Sequence, residues 1–137
     1  GALGVTMVDC PVSGGVPLKD RAPQRQAYRL QELARWRDFL GMPLTLQPKH
    51  FPVPPAAAST LILAALQRHG IELALDIAGD CLRAVWAQER NIAEADTLRE
   101  IATARNLDAD ALLAAAASSE ITELFAAHSQ QAIERGV

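Results

Sequence analysis

Hydrophobic residues recur along most of the chain at spacings of three and four, the pattern of helices that bury one face. The first such segment begins at Pro23, a residue that suits the first turn of a helix, and ends at Gly41. Its apolar positions predict a face that packs against other helices, with Trp36 in the core. These positions are Leu30, Leu33, Trp36, Phe39 and Leu40.

Further helical segments follow, each bounded by capping or breaking residues. They are predicted over 56–69, 72–88, 94–105, 109–117 and from Ser118 or Ser119 to Arg135. In the helix over 72–88, Gly79 is expected to mark a close crossing of two helices. The apolar side of that helix is predicted to comprise Leu75, Ala78, Leu82, Val85 and Trp86, with Trp86 in the core.

The N-terminal part has a different pattern. Val5–Val12 is short, rich in β-branched residues and closed by Ser13-Gly14-Gly15, which predicts a strand that runs into a turn. A strand needs partner strands for its backbone groups, and no second strand is predicted. The predicted fold class is mainly α, with about six helices in a bundle and one N-terminal strand. Residues 1–20 are predicted to form a strand and loop remnant, and residues 21–137 a helical domain.

Composition narrows the function classes. The chain has 137 residues, half of them hydrophobic, and a formal charge of −3. Basic residues concentrate between Lys19 and Arg37, but acidic residues are mixed among them, so a solvated helix face is favoured over a nucleic acid site. No apolar run reaches the roughly 20 residues of a membrane span. Cys10 and Cys81 lie far apart and the histidines are scattered, so no metal site is predicted, and a cytoplasmic location is expected.

Two short segments hold candidate chemistry. Five prolines between Met42 and Pro55 predict an ordered, extended loop that carries Lys49, His50 and Phe51. A cation, an imidazole and an aromatic ring on a stiff loop suit an anionic aromatic substrate, although the residues alone favour a simple tight connection. Ser13 has no nearby base, so a turn is favoured over a nucleophile, but the amides of Ser13–Gly15 could cradle a carboxylate. No catalytic residue is predicted.

An ordered set of segments resembles the 2-hydroxychromene-2-carboxylate isomerases, which are relatives of the kappa-class glutathione transferases and of DsbA. The set comprises Arg21–Arg29, Glu32–Trp36, Leu40–Leu44, Pro48–Pro52, Leu82–Trp86, Asn91–Ala93 and Ala132–Val137. The resemblance implies the helical insertion of a DsbA-like thioredoxin fold. It also implies a glutathione-dependent isomerase of aromatic compound degradation, with glutathione as the cofactor and a small aromatic carboxylate as the substrate.

The same resemblance implies where the ligands bind. The substrate-binding residues would be Ser13, Gly14, Lys19, Lys49, His50, Phe51 and Pro52. The serine that faces glutathione in this family would precede the first residue, and the family's cis-proline turn would follow Val137. A truncated form that lacks the catalytic serine is therefore expected.

Two alternatives remain open at this stage. The segment Asp9–Gly15 also resembles the substrate loop of β-hydroxyacid dehydrogenases, but the G-x-G-x-x-G nucleotide site of that family is absent upstream. The chain could instead be a non-catalytic helical module of the DsbA-like superfamily that binds a partner or forms a homodimer.

Overall fold

The computed structural model describes Met7 and residues 18–136. This part of the chain contains six α-helices, as predicted, after a short 3-10 turn at Leu18–Asp20. The helices are α1 (Pro23–Leu40), α2 (Ala56–His69), α3 (Ile71–Trp86), α4 (Ala95–Ala104), α5 (Ala109–Ala116) and α6 (Ser119–Glu134). The helical fold class is thereby confirmed. The strand predicted over Val5–Val12 lies outside the described residues apart from Met7, which packs against the helical core.

Local capping chemistry explains where the helices begin and end. Proline occupies the first turn of α1, and Gly41 closes the helix in the left-handed conformation at φ 60°. The Asp108 side chain accepts a hydrogen bond from the Ala111 amide, and the Ser118 hydroxyl accepts one from the Ile121 amide. Each cap satisfies one of the amides that the first turn of a helix leaves without an intrahelical partner.

The core is built around α2, which contacts α3, α4, α5 and α6. Large aliphatic side chains from five helices meet there and are almost fully buried: Leu61, Leu63, Ile77, Leu98, Leu112 and Ile121. Burial of each such side chain contributes about 1.5–3 kcal/mol relative to an exposed one. The helices from α2 to α6 therefore form one packed bundle, called here the core bundle.

Helix α1 differs from the prediction. No residue of α1 is buried, and Trp36 is 56% exposed, so the placement of Trp36 in the core is wrong. Phe39 and Leu40 are also exposed. The apolar positions do share a face, as their spacing predicts, but no described element packs over that face closely enough to bury them. Trp86, in contrast, is partly buried against the core, in line with its prediction.

Helix α3 buries a face rotated from the predicted one. Ala74, Ile77, Cys81, Ala84 and Val85 are buried, whereas Leu75 and Leu82 are exposed. The predicted apolar side was therefore wrong at these two leucines. Gly79 has no neighbouring atom within 4 Å of the position where a Cβ would stand, so the close crossing predicted there is also wrong among the described residues.

A charged cluster fastens the end of α4 to α3. The Arg105 guanidinium donates to Asp80 and to Asp76, each at 2.7 Å. Asp80 is largely shielded from solvent, and its hydrogen bond from Arg105 lowers the pKa of its carboxyl group. The cluster therefore ties two helices of the core bundle at their surface. No helix in the described part of the chain is long and apolar enough to span a membrane.

Candidate functional site

The proline-rich loop at residues 42–55 lies against the C-terminal end of α3. The Thr45 amide donates to the Trp86 carbonyl at 2.6 Å, and the Lys49 amide donates to Glu89 Oε1 at 3.3 Å. Pro48 is buried, and Val53 packs against the core. The loop is thus extended and ordered, as predicted, and α3 and the turn after it determine its position.

Glu89 reaches Lys49 from a backbone conformation that few residues other than glycine adopt, at φ 54°. This conformation lies in the turn after α3, where the Arg90 amide donates to the Ala84 carbonyl at 2.8 Å. The turn brings Asn91 and Ala93 beside the loop. Two distant segments of the sequence therefore form the walls of one site.

Between the two segments lies an open cavity of about 460 Å³, called here the loop groove. It is lined by Lys49, His50, Phe51, Pro52, Val53, Pro54, Asn91 and Ala93. Four of the residues predicted to bind substrate, Lys49 to Pro52, thus line the same groove. The peptide bond between Phe51 and Pro52 is cis. A cationic ammonium, an imidazole and an aromatic ring are available to a ligand in this groove.

An aromatic pair that includes Phe51, a lining residue, lies beside the loop groove. The Phe51 and Trp86 ring centroids are 4.7 Å apart with an interplanar angle of 45°. The Arg29 guanidinium carbon lies 5.0 Å from the Phe51 centroid and 5.9 Å from the Trp86 centroid. Both distances fall within the range of cation–π attraction. Arg29 thereby connects α1 to the loop and to α3.

A second cavity of about 300 Å³, the helix groove, runs along α1. Its lining residues are Arg21, Arg25, Tyr28, Arg29, Glu32, Leu33 and Trp36. Glu32 is bound to Arg35 at 2.5 Å, and hydrogen bonds from Arg35 and then Tyr28 lower the pKa of its carboxyl group. Arg29 lines the helix groove and stacks on Phe51, which lines the loop groove, so the two grooves adjoin at this contact.

The other predicted site residues lie elsewhere. Lys19 is exposed in the 3-10 turn, and its carbonyl accepts a hydrogen bond from Gln26 at 3.2 Å. Lys19 lines neither the loop groove nor the helix groove. Ser13 and Gly14 are outside the described residues. Their predicted contacts with substrate, and that of Lys19, therefore stay predictions.

Sequence reasoning missed Arg29, Trp86 and Asn91 as residues of the site. The sequence pattern places Arg29 on a solvated basic face and Trp86 in the core. The available signal was the four-residue spacing of Arg25 and Arg29, which places two cations on one side of α1. Nothing in the local sequence of Phe51 identifies Arg29 or Trp86 as its neighbours.

Cys81 is not part of the site. It is buried in the core bundle, and burial, followed by the charge of Asp80, raises the pKa of its thiol to about 11. The thiol is therefore protonated at neutral pH and a poor nucleophile. Within residues 18–136 and at Met7, no group of three His, Cys, Asp or Glu side chains is placed to hold a metal ion.

Comparison with known proteins assigns the family. The sequence model of the DSBA-like thioredoxin domain matches residues 7–137, nearly the whole chain. No curated protein matches the chain. The mainly helical fold, with α3 to α6 packed around α2, agrees with this assignment. The chain belongs to the DSBA-like thioredoxin domain family.

Proposed function

We propose that this protein is a glutathione-dependent isomerase of the 2-hydroxychromene-2-carboxylate type. In this proposal the loop groove holds a small aromatic carboxylate and the helical bundle forms one side of the active site. The observation that carries the proposal is that the consecutive residues Lys49 to Pro52 line one groove, opposite Asn91 and Ala93. The family membership supports a DsbA-like framework for it.

The groove has the chemistry that such a substrate needs. The Lys49 ammonium and the His50 imidazole supply hydrogen-bond donors for the oxygen atoms of the substrate, and the Phe51 ring offers a flat apolar surface to an aromatic ring. Cations also stabilise negative charge that builds up when a thiolate adds to the substrate. In the proposed reaction the glutathione sulfur forms a bond to a ring carbon, the ring opens, a bond rotates, and the same carbon–sulfur bond then breaks.

The test, made on the full-length protein, is the conversion of 2-hydroxychromene-2-carboxylate, followed by its ultraviolet absorbance with and without glutathione. We expect turnover that requires glutathione, and a Lys49→Met variant with a KM raised about tenfold, the loss of one charge-assisted contact. Arg68→Met is the matched control because Arg68 is exposed on α2 and lines neither groove. Absence of glutathione-dependent turnover would contradict the proposal.

A second candidate function is a homodimeric binding module, and the exposed face of α3 favours it. Leu75 and Leu82 are 50% and 62% exposed, and Gly79 lies between them on the same side of the helix. Positions 75, 79, 82 and 86 follow the four–three spacing of a helix–helix seam. Gly79 lies in the middle of this seam and has no side chain, so two helices can approach each other closely there.

The charges beside the seam match a second copy of the same helix. In an antiparallel pair of α3 helices with a two-fold axis near Gly79, Leu75 of each copy faces Leu82 of the other. At the positions that flank the seam, Asp76 of each copy then lies opposite Arg83 of the other. These side chains are 56% and 58% exposed, so each can make a further contact beside its present ion pair.

Sedimentation velocity over a range of concentrations tests the second candidate. We expect a dimer that Leu82→Glu weakens at least tenfold, because a carboxylate would be buried at the seam. Ile133→Glu is the control, since Ile133 is a similarly exposed apolar residue on α6. A wild-type protein that is monomeric at all concentrations would exclude this candidate.

A further inference from the structure

We infer that Arg29 is the anchor for the carboxylate of a ligand whose ring lies in the loop groove. The inference deepens the proposed function and rests on it in taking the loop groove as the ligand site. Arg29 belongs to α1, outside the segment of the chain that forms that groove. Its role would be to position the ligand, while Lys49 and His50 contact the reacting part.

The contact of Arg29 with two aromatic rings prepares it for this role. The aromatic rings of Phe51 and Trp86 lie within cation–π distance of the guanidinium. A guanidinium held over aromatic rings keeps the N–H groups at its edge for acceptors in its own plane. Among the described residues, none accepts a hydrogen bond from the Arg29 side chain. The donors at its edge therefore lack a protein acceptor in the described part of the chain.

Neighbouring acidic side chains are engaged by other arginines. Glu32, one helical turn after Arg29, pairs with Arg35 at 2.5 Å, and Asp38 pairs with Arg37 at 2.8 Å. The other described arginines with acidic partners lie on α3, on α4 or in the turns that follow these helices. Arg29 is thus distinguished from most arginines of the molecule by binding rings in place of carboxylates.

The position of Arg29 defines the class of ligand. It stands where the helix groove meets the loop groove, so a carboxylate at Arg29 directs an attached ring toward Phe51 and Pro52. A planar carboxylate matches the fork of a guanidinium through two parallel hydrogen bonds. Arg25 also lines the helix groove and adds positive potential on the approach side. The geometry therefore selects an aromatic ligand that also carries a carboxylate.

Lysine would not replace arginine in this role. A lysine ammonium is a compact charge that lacks the planar fork and is more strongly hydrated, so it stacks less well on aromatic rings. Arg29→Lys should therefore lose most of the anchoring although the net charge is unchanged. The Arg29→Lys variant therefore distinguishes two roles. If Arg29 only contributed positive charge to the local potential, ligand binding would be unchanged in this variant.

Isothermal titration with salicylate as the probe tests the inference on the full protein, with benzyl alcohol as the uncharged comparison. We expect salicylate binding that weakens about tenfold in both Arg29→Lys and Arg29→Met, the loss of one charge-assisted pair. Benzyl alcohol binding should be weak and unchanged. Arg68→Met is the control for loss of one exposed positive charge. Far-ultraviolet circular dichroism and the Tm establish that each variant is folded.

The outcomes separate the anchor from the proposed function. Wild-type-like salicylate binding in Arg29→Met, an equal loss in Arg68→Met, or no salicylate binding by the wild type would each overturn the anchor. Salicylate binding needs no glutathione and no turnover, so a failed isomerase assay together with Arg29-dependent binding would overturn the proposed reaction and leave the anchor intact. Turnover that Arg29→Met leaves unchanged in KM would overturn the anchor alone.

Discussion

The core bundle and α1 have similar shares of bulky apolar residues, but they use them differently. In α2, Leu61, Ile62 and Leu63 are at most 3% exposed. In α1, Trp36 and Phe39 are 56% and 79% exposed, and their rings meet each other at 5.8 Å in an edge-to-face contact. Apolar residues at helical spacing show that a helix has an apolar face. Whether that face is buried depends on whether other elements of the fold pack against it.

The two regions also divide stability from recognition. The core bundle contains the large buried side chains, whereas both grooves are formed by α1, the proline-rich loop and the turn after α3. Binding residues on loops and exposed faces that a rigid scaffold holds in place are the usual arrangement in proteins. We therefore expect substitutions in the two regions to have separate effects, and the following experiments test that separation.

The largest effect is expected in the core bundle. Leu63→Ala should lower the free energy of unfolding by about 3 kcal/mol, because it removes a fully buried side chain and leaves a cavity beneath α2. Urea denaturation followed by circular dichroism measures the change. A loss below about 1 kcal/mol would show that the bundle is loosely packed and would weaken the contrast with α1.

A smaller effect is expected where helix α5 begins. Asp108→Ala removes the acceptor for the Ala111 amide and should lower the free energy of unfolding by about 1 kcal/mol. Asp108→Asn retains a capping oxygen and is the matched control. If both variants unfolded alike, the cap would not contribute to the stability of the core bundle.

Acidic pH should affect the bundle through Asp80. The hydrogen bond from Arg105 holds the folded-state pKa of Asp80 below its ordinary value. The pair's contribution is therefore complete above a pH of about 4 and is lost as the pH falls through the lowered folded-state pKa. At pH 7, Asp80→Asn should cost on the order of 1 kcal/mol, since the carboxylate is largely shielded from solvent.

Urea titrations of Asp80→Asn and the wild type at several pH values test this direction of the pH dependence. The difference between them should shrink as the pH falls below 4, the range in which the wild-type carboxylate becomes protonated. Glu123→Gln, at an exposed position of α6, serves as the control and should show little difference at any pH. A difference that grows on acidification would contradict the assigned pKa direction.

The smallest effect is expected on α1. Phe39→Ala should change the free energy of unfolding by less than about 0.5 kcal/mol, because the ring is mostly in solvent. The same denaturation experiment provides the measurement, and Leu63→Ala is its counterpart in the core bundle. A large loss would show that the exposed face of α1 is covered in the folded protein in solution, and the contrast between the two regions would fail.

The helix boundaries were predictable because short-range chemistry sets them. Pro23, Gly41, Gly70, Asp108 and Ser118 each act through the backbone within one turn, and their effects can be read from neighbouring residues. The buried faces were less predictable. Leu75 and Leu82 are at helical spacing from Val85, yet only Val85 is buried, because the approach direction of α2 and α4 decides which side of α3 is covered.

The site was predictable to a similar extent. Prolines and the family resemblance identified Lys49–Pro52, and these residues do line one groove. The contact of Arg29 with Phe51 and Trp86 joins three separate parts of the chain, so no local pattern contains it. The outcome at Ser13, Gly14 and Lys19 stays a prediction, and so do the requirement for glutathione and the identity of the substrate.

Alanine has a further consequence for the core bundle. Ala65, Ala74, Ala84 and Ala102 are fully enclosed, and alanine loses no side-chain entropy when it is buried. Where helices meet through alanine, their backbones lie close together, so there is little room for a larger side chain at these positions. Enlarging any of these alanines should accordingly push neighbouring helices apart, at a cost of about 1–3 kcal/mol.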